Sequence, residues 1–152
     1  MAASDCFLFE QDFVNELQCI PMAVRLKLDT CGVKLKLNHW HRFSLVERQV
    51  LLALPCDSGA AAAAYREHLQ TLVTQHTGAP AKDLPVVPQP AWHESSQVPT
   101  TVQQQAAAYD QTVSAQQWAE LTPLQRFALI KLSQPGHENR NFLPALQEFG
   151  LA

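Results

Sequence analysis

Apolar positions in this chain recur at helical spacing over most of its length. Val50, Leu51 and Leu54 follow Ser44-x-x-Glu47, and Ala128, Leu129 and Leu132 follow Thr122-x-x-Gln125. A hydroxyl residue three positions before Glu or Gln predicts a capping box, in which the two side chains reciprocally satisfy the first free amides of a helix. Pro123 at the first helical position strengthens the second start, and Pro55 and Pro135 are expected to end the two helices. Upstream, Pro21 opens a helix expected to run to a Gly32 cap. The segment AAAAAYREHLQTLVTQH is rich in strong helix formers, and Asn141 to Phe149 is a short amphipathic run. One stretch supports two readings. Val24 to Leu28 and Val33 to Leu37 alternate strictly about Asp29-Thr30-Cys31-Gly32, which is the pattern of a β-hairpin. Helix is preferred there, because the corresponding TTVQQQAAAYD stretch later in the chain is plainly helical and two strands alone are marginal.

That correspondence is an internal one. Shifted by 78 residues without a gap, Pro21 falls on Pro99, Val24 on Val102, Trp40 on Trp118, Arg48 on Arg126, Leu51 on Leu129 and Leu54 on Leu132. Between the two halves, Pro80, Pro85, Pro88, Pro90 and Pro99 crowd into a stretch that bars regular helix and is long for a loop in a compact domain. The expected architecture is all-α: a compact multi-helix domain over 1–152 built from two pseudo-repeated helical units, 20–76 and 98–152. An N-terminal acidic arm, 1–19, precedes them and a proline-rich connector, 77–97, joins them.

Composition narrows the class without naming an activity. The 152 residues are 47% hydrophobic and only 16% charged, against about 25% charged in an average domain, which argues against wholesale disorder. The net charge of −3 excludes the strongly basic footprint of a dedicated nucleic-acid binder. No apolar run approaches the roughly 20 residues needed to span a bilayer, and the acidic start of the chain is unlike a signal peptide, so a cytoplasmic protein is expected. Cys6, Cys19, Cys31 and Cys56 form no C-x-x-C pair, so metal-site spacing is absent. They read as free thiols that pack like small hydrophobes, with a redox thiol or a cluster ligand as the functional alternative.

Charge is uneven along the chain. Asp5, Glu10, Asp12 and Glu16 stand together without a base, while Arg25, Lys27, Lys34, Lys36, Arg42 and Arg48 face only Asp29 and Glu47. The basic stretch either neutralises the acidic arm or presents a positive surface to an acidic or phosphate-bearing partner. Features common to both halves, such as Trp40 and Trp118 or Arg48 and Arg126, are expected to pack and cap. Features of one half only are the better functional candidates, among them Cys31, and those assigned to partner binding are Arg25, Lys27, His39, His41 and the run His137-Glu138-Asn139-Arg140-Asn141. That run lies at a helix entrance, where free amides favour an anion. The alternative is that Glu138, Asn139 and Asn141 merely cap the last helix. No nucleophile elbow, phosphate loop or zinc-protease motif is present, so no catalytic residue, metal ligand or cofactor is assigned and an enzyme is not expected.

Several long blocks carry a family resemblance. Cys19-Ile20-Pro21-Met22-x-Val24-Arg25, Lys27-Leu28-Asp29-x-Cys31-Gly32-Val33-Lys34-Leu35, Leu124 to Ser133, His137 to Leu146 and the Phe7 to Phe13 arm together resemble the nitrate reductase-associated protein family, of cyanobacterial type. The resemblance covers nearly the whole chain except the connector. It implies a cytoplasmic accessory factor for maturation or assembly of an assimilatory, molybdenum-dependent nitrate reductase, binding the apoenzyme, with no catalytic residues to carry over. Two other readings stay open: a carrier of the molybdopterin cofactor or of an iron–sulfur cluster, and a small enzyme acting on a cofactor precursor.

Overall fold

A computed structural model describes residues 6–10, 17–134 and 139–152. The chain divides into two compact units, Met1–Val86 and Val87–Ala152. Among the described residues there are eight α-helices and one two-stranded sheet, so the fold is all-α as expected. No helix among them is long and apolar enough to cross a membrane.

The first unit starts from a buried carboxylate. Glu10 is 1% exposed, and its oxygens accept the amides of Phe7 (3.0 Å) and Met22 (2.8 Å). Met22 opens helix α1 (Met22–Cys31) directly after Pro21, where the first amides have no intrahelical partner. Glu10 of the acidic arm thus reaches α1, where it meets an amide. Asp5, Asp12 and Glu16 lie outside the described residues.

Gly32 ends α1 in the left-handed region (φ +79°), its amide donating to Leu28 O at 2.9 Å. The chain then enters strand β1 (Val33–Lys34), which pairs antiparallel with β2 (Lys82–Asp83), Val33 opposite Asp83 and Lys34 opposite Lys82. The alternating segment 24–37 is therefore helix in its first half. Its second half finds a strand partner far along the chain rather than in a local hairpin.

Helices α2 (Leu37–Arg42), α3 (Leu45–Ala53) and α4 (Gly59–Thr77) complete the unit. Ser44 and Glu47 form the expected capping box on α3, with bonds of 2.8 and 3.1 Å. Tyr65, Leu69, Leu72 and Val73 make one buried stripe along α4, at the spacing that places side chains on a single helical face. They close over Val24, Leu28, Val33, Trp40, Leu51 and Leu52. Val50, expected among the apolar core positions of α3, is instead 36% exposed.

The proline-rich stretch contributes structure to both units. Gln70 on α4 grips Ala81 through both of its main-chain groups, at 3.0 and 2.8 Å. Arg66 donates to Cys31 O (3.2 Å) and Gly32 O (2.8 Å) and pairs with Asp83. In the second unit, a 3-10 turn at Ala91–His93 sets the Trp92 ring edge-on to Phe127, with centroids 4.9 Å apart.

The second unit holds α5 (Thr100–Ala107), α6 (Ala115–Glu120), α7 (Pro123–Leu132) and α8 (Phe142–Glu148). Their buried residues include Val102, Trp118, Phe127, Leu129, Leu132, Phe142 and Leu146. Helices α5, α6 and α7 start 78 residues after α1, α2 and α3 respectively. Thr122 and Gln125 cap α7 as Ser44 and Glu47 cap α3.

One device recurs in both units. Helices α2 and α6 are six residues long, so most of their carbonyls lack an intrahelical partner. An arginine from the next helix supplies donors. Arg48 reaches Trp40 O (3.1 Å), His41 O (3.1 Å) and Leu17 O (3.3 Å). Arg126, 6% exposed, reaches Trp118 O (3.1 Å), Ala119 O (3.4 Å), Leu121 O (2.8 Å) and Trp92 O (2.8 Å). Trp40 and Trp118 are fully buried. Each indole amide also donates to a distant carbonyl, Trp40 to Leu17 (2.6 Å) and Trp118 to Glu94 (2.8 Å).

Two stability predictions follow from this geometry. A Cβ on Gly32 would lie 2.8 Å from Val86 Cγ2 and 3.0 Å from Leu84 O, whereas one on Gly78 (φ +88°) meets nothing. Gly32→Ala is therefore expected to lose about 2–3 kcal/mol in urea unfolding and Gly78→Ala only about 1 kcal/mol, the cost of the left-handed backbone alone. Arg126→Met, which leaves buried carbonyls without donors, is expected to lose about 3 kcal/mol or more. The more exposed Arg48→Met should lose roughly half as much, and equal losses in the two variants would show that burial of the guanidinium is not what matters.

Candidate functional site

The basic residues singled out in the first unit converge on main-chain oxygens. Arg25 Nε donates to Ile20 O at 2.9 Å, and His41 Nε2 lies 2.8 Å from Gln18 O, where it acts as donor. With Trp40 and Arg48 on Leu17 O, four side chains hold carbonyls of residues 17–20. Leu17 itself is buried and sits at φ +55°, a conformation that a bulky side chain adopts only under constraint. The donors on its carbonyl provide that constraint. Lys27 Nζ donates to Leu52 O at 2.6 Å, tying α1 to α3. His39 Nδ1 accepts the Lys36 amide at 3.2 Å, closing a cap on α2. Burial, then the charges of Lys36 and Arg42, hold the His39 imidazole below its ordinary pKa.

In the second unit, Asn139 Nδ2 donates to Leu132 O (2.6 Å) and Gln134 O (2.8 Å). It therefore closes the end of α7, whereas the sequence suggested a cap on the following helix. Asn141 stands at the N-cap of α8 without a side-chain cap bond, and Arg140 is exposed. His137 and Glu138 lie outside the described residues. Arg25, Lys27, His39 and His41 thus belong to one unit, and Asn139, Arg140 and Asn141 to the other.

Two features were missed in the sequence. The first is an exposed apolar set on α2 and α3: Leu37 is 49% exposed, Leu45 42%, Val46 66% and Val50 36%. Val46 and Val50 stand one helical turn apart and so share a face. The signal was present, because those positions are apolar, but periodicity alone assigns them to the core.

The second feature is a thiol pair. Cys31 ends α1 and Cys56 follows Pro55, and their thiols lie within hydrogen-bonding reach of each other. Cys31 Sγ also contacts Leu28 O (3.8 Å) and Cys56 Sγ contacts Lys27 O (3.7 Å), carbonyls of adjacent residues in α1. The bond from Cys31, with help from Lys27 and against burial and Asp57, holds the Cys56 thiol below its ordinary pKa. The same bond, with burial, pushes Cys31 up. Tyr65 beside them is raised by burial and then by the two thiols, and donates to Leu51 O at 2.8 Å. A separation of 25 residues forms no local motif; only the packing of α1 against α3 brings the two together. Among the described residues, no group of three or more His, Cys, Asp or Glu is placed to hold a metal ion.

The family described as conserved nitrate reductase-associated protein matches residues 6–149. No curated protein and no solved structure matches the chain.

The corner between α2 and α3 generates a pH prediction. His76 Nε2 meets Glu47 Oε1 at 2.9 Å, and Arg42 donates to His76 O at 3.1 Å. The Ser44 amide, then His76, hold the Glu47 carboxyl below its ordinary value of 4.5. A carboxyl depressed in the folded state adds stability that is whole above its unfolded pKa and is lost as pH falls through the folded one. Glu47→Gln keeps the capping box, as Gln125 does in the second unit, but removes this charge. The stability gap between wild type and Glu47→Gln is expected to be larger at pH 6 than at pH 3 in urea titrations. A gap that does not change with pH would show that the carboxylate contributes only its capping bonds.

Proposed function

Because this chain belongs to the nitrate reductase-associated protein family, we propose that it is an accessory maturation factor for an assimilatory, molybdenum-dependent nitrate reductase. It binds the immature enzyme in the cytoplasm and keeps it competent for cofactor insertion. The family match over residues 6–149 is the observation that carries this reading. Action by binding rather than by catalysis suits the residues described above, since the histidines and cations singled out at 25–41 are engaged with main-chain groups or caps.

The same bonds narrow the proposed docking face. Arg25, Lys27 and His41 hold the fold together, so their replacement would confound binding with stability. The α2–α3 face is the better candidate. It carries exposed Leu37, Leu45, Val46 and Val50, and apolar side chains of this kind form the centre of protein interfaces. Arg140 with Asn139 and Asn141 is a second proposed contact.

Tagged protein is expected to recover cofactor-free nitrate reductase from nitrate-grown cells of the source organism. Val46→Asp with Val50→Asp should cut that recovery at least about tenfold, as loss of a central contact does, with the unfolding midpoint unchanged. Failure of the wild type to recover the enzyme rejects the proposed function. Unchanged recovery and unchanged nitrate reductase activity with Val46→Asp, Val50→Asp and Arg140→Glu combined would reject this placement of the surface.

A further inference from the structure

We propose that Cys31 and Cys56 are a redox-responsive dithiol, closing reversibly into an intramolecular disulfide when the protein meets a small-molecule disulfide. The inference stands on the thiol cluster and is independent of the partner proposed above. Three observations carry it. The two sulfurs share one patch of α1, each resting on the carbonyl of one of two adjacent residues, Cys31 Sγ 3.8 Å from Leu28 O and Cys56 Sγ 3.7 Å from Lys27 O. They differ in access: Cys31 is 8% exposed, while Cys56 is half-buried at the edge of the core. Both are held in place, the Cys31 backbone by Arg66 on the carbonyls of Cys31 and Gly32 and the Cys56 side chain by its contact with Lys27 O.

The charges around the pair assign the roles. The Cys31 S–H and then Lys27 favour the thiolate on Cys56, against burial and then Asp57. Arg66 favours the thiolate on Cys31 less than Cys56 and burial disfavour it. Cys56 is therefore the attacking sulfur, the accessible and more acidic member of the pair. Its thiolate displaces one thiolate from the reagent and forms a mixed disulfide. Cys56 is then uncharged, and the interaction that kept the proton on Cys31 is gone. Cys31 gives that proton to the released thiolate and attacks Cys56 Sγ, expelling the second half of the reagent, which takes a proton from water. Two protein thiols are oxidised to one disulfide, and one small disulfide is reduced to two thiols.

The closed bridge would join the end of α1 to the segment after α3. It encloses β1, α2 and α3 in one covalent ring, including Trp40, Arg48 and the exposed apolar face of α3. Oxidation would thus stiffen one part of the first unit while leaving Cys6 and Cys19 out of the ring.

The test uses the full chain with oxidised glutathione as the probe. The wild type is expected to lose about 2 Da, its titratable thiols falling from four to two. Proteolysis should yield one linked pair, Cys31 with Cys56, and dithiothreitol should restore all four thiols. Limited alkylation of the reduced wild type at neutral pH should modify Cys56 at least about tenfold faster than Cys31. Cys31→Ala is expected to stop at a stable glutathione adduct on Cys56, and Cys56→Ser to form neither adduct nor bridge at Cys31. A wild-type protein that keeps both thiols titratable, or that links a different pair, overturns the proposal without reliance on either variant.

Discussion

A helix of six residues has more unsatisfied carbonyls than internal hydrogen bonds, and this protein relies on such helices at the centre of both units. The debt is met by a planar cation from the following helix. The Arg126 guanidinium spreads four donated bonds over the carbonyls around α6, and Arg48 does the same on a smaller scale around α2. Guanidinium suits the task because its donors fan out in a plane and it stays protonated throughout the accessible pH range. Trp40 and Trp118 depend on this arrangement. Each indole fills the space behind its short helix, and each ring amide reaches a carbonyl more than twenty residues away. Segments that precede the helices by long stretches of chain are fastened to them by these bonds, with little regular sheet to help.

How much of this could be read in advance depended on whether the cause was local. The capping boxes at Ser44 and Thr122, the glycine stop at Gly32 and the start at Pro21 are set by neighbouring residues, and they appear where the sequence places them. The pairing of Val33–Lys34 with Lys82–Asp83 is not local. A two-residue strand has no periodicity to detect, and its partner lies within a proline-rich stretch that looked like a bare connector. The box at Ser114–Gln117 is local too, and its hydroxyl-x-x-amide spacing stands in the sequence.

The candidate site was less legible for a physical reason. A lysine, arginine or histidine in a sequence suggests a solvated charge offered to a partner. Here Arg25, Lys27 and His41 donate to main-chain oxygens, because the turns and short helices around them leave acceptors that ordinary helices would consume. Conversely, Val46 and Val50 look like core residues and stand in solvent, since one side of α3 already supplies the buried contacts through Leu51 and Leu52. Membership of the nitrate reductase-associated protein family came from long ordered blocks rather than from any charge pattern, so it says little about which face a partner would meet.

The bond from Leu84 N to Gly32 O, together with the strand pair beside it, has a consequence for how the protein is made. Chains emerge from the ribosome N-terminus first, at about 5–20 residues per second. The end of α1 and the edge of β1 are finished early, yet their main-chain partners arrive only after α4 and the first prolines have been translated. For some seconds the open strand edge faces water or whatever else is near, and the Gly32 carbonyl meets first Arg66 of α4 and only later Leu84. The first unit can gain full cooperativity only when the chain has grown past Val86, so the proline-rich stretch acts as its final fastening as well as the approach to the second unit.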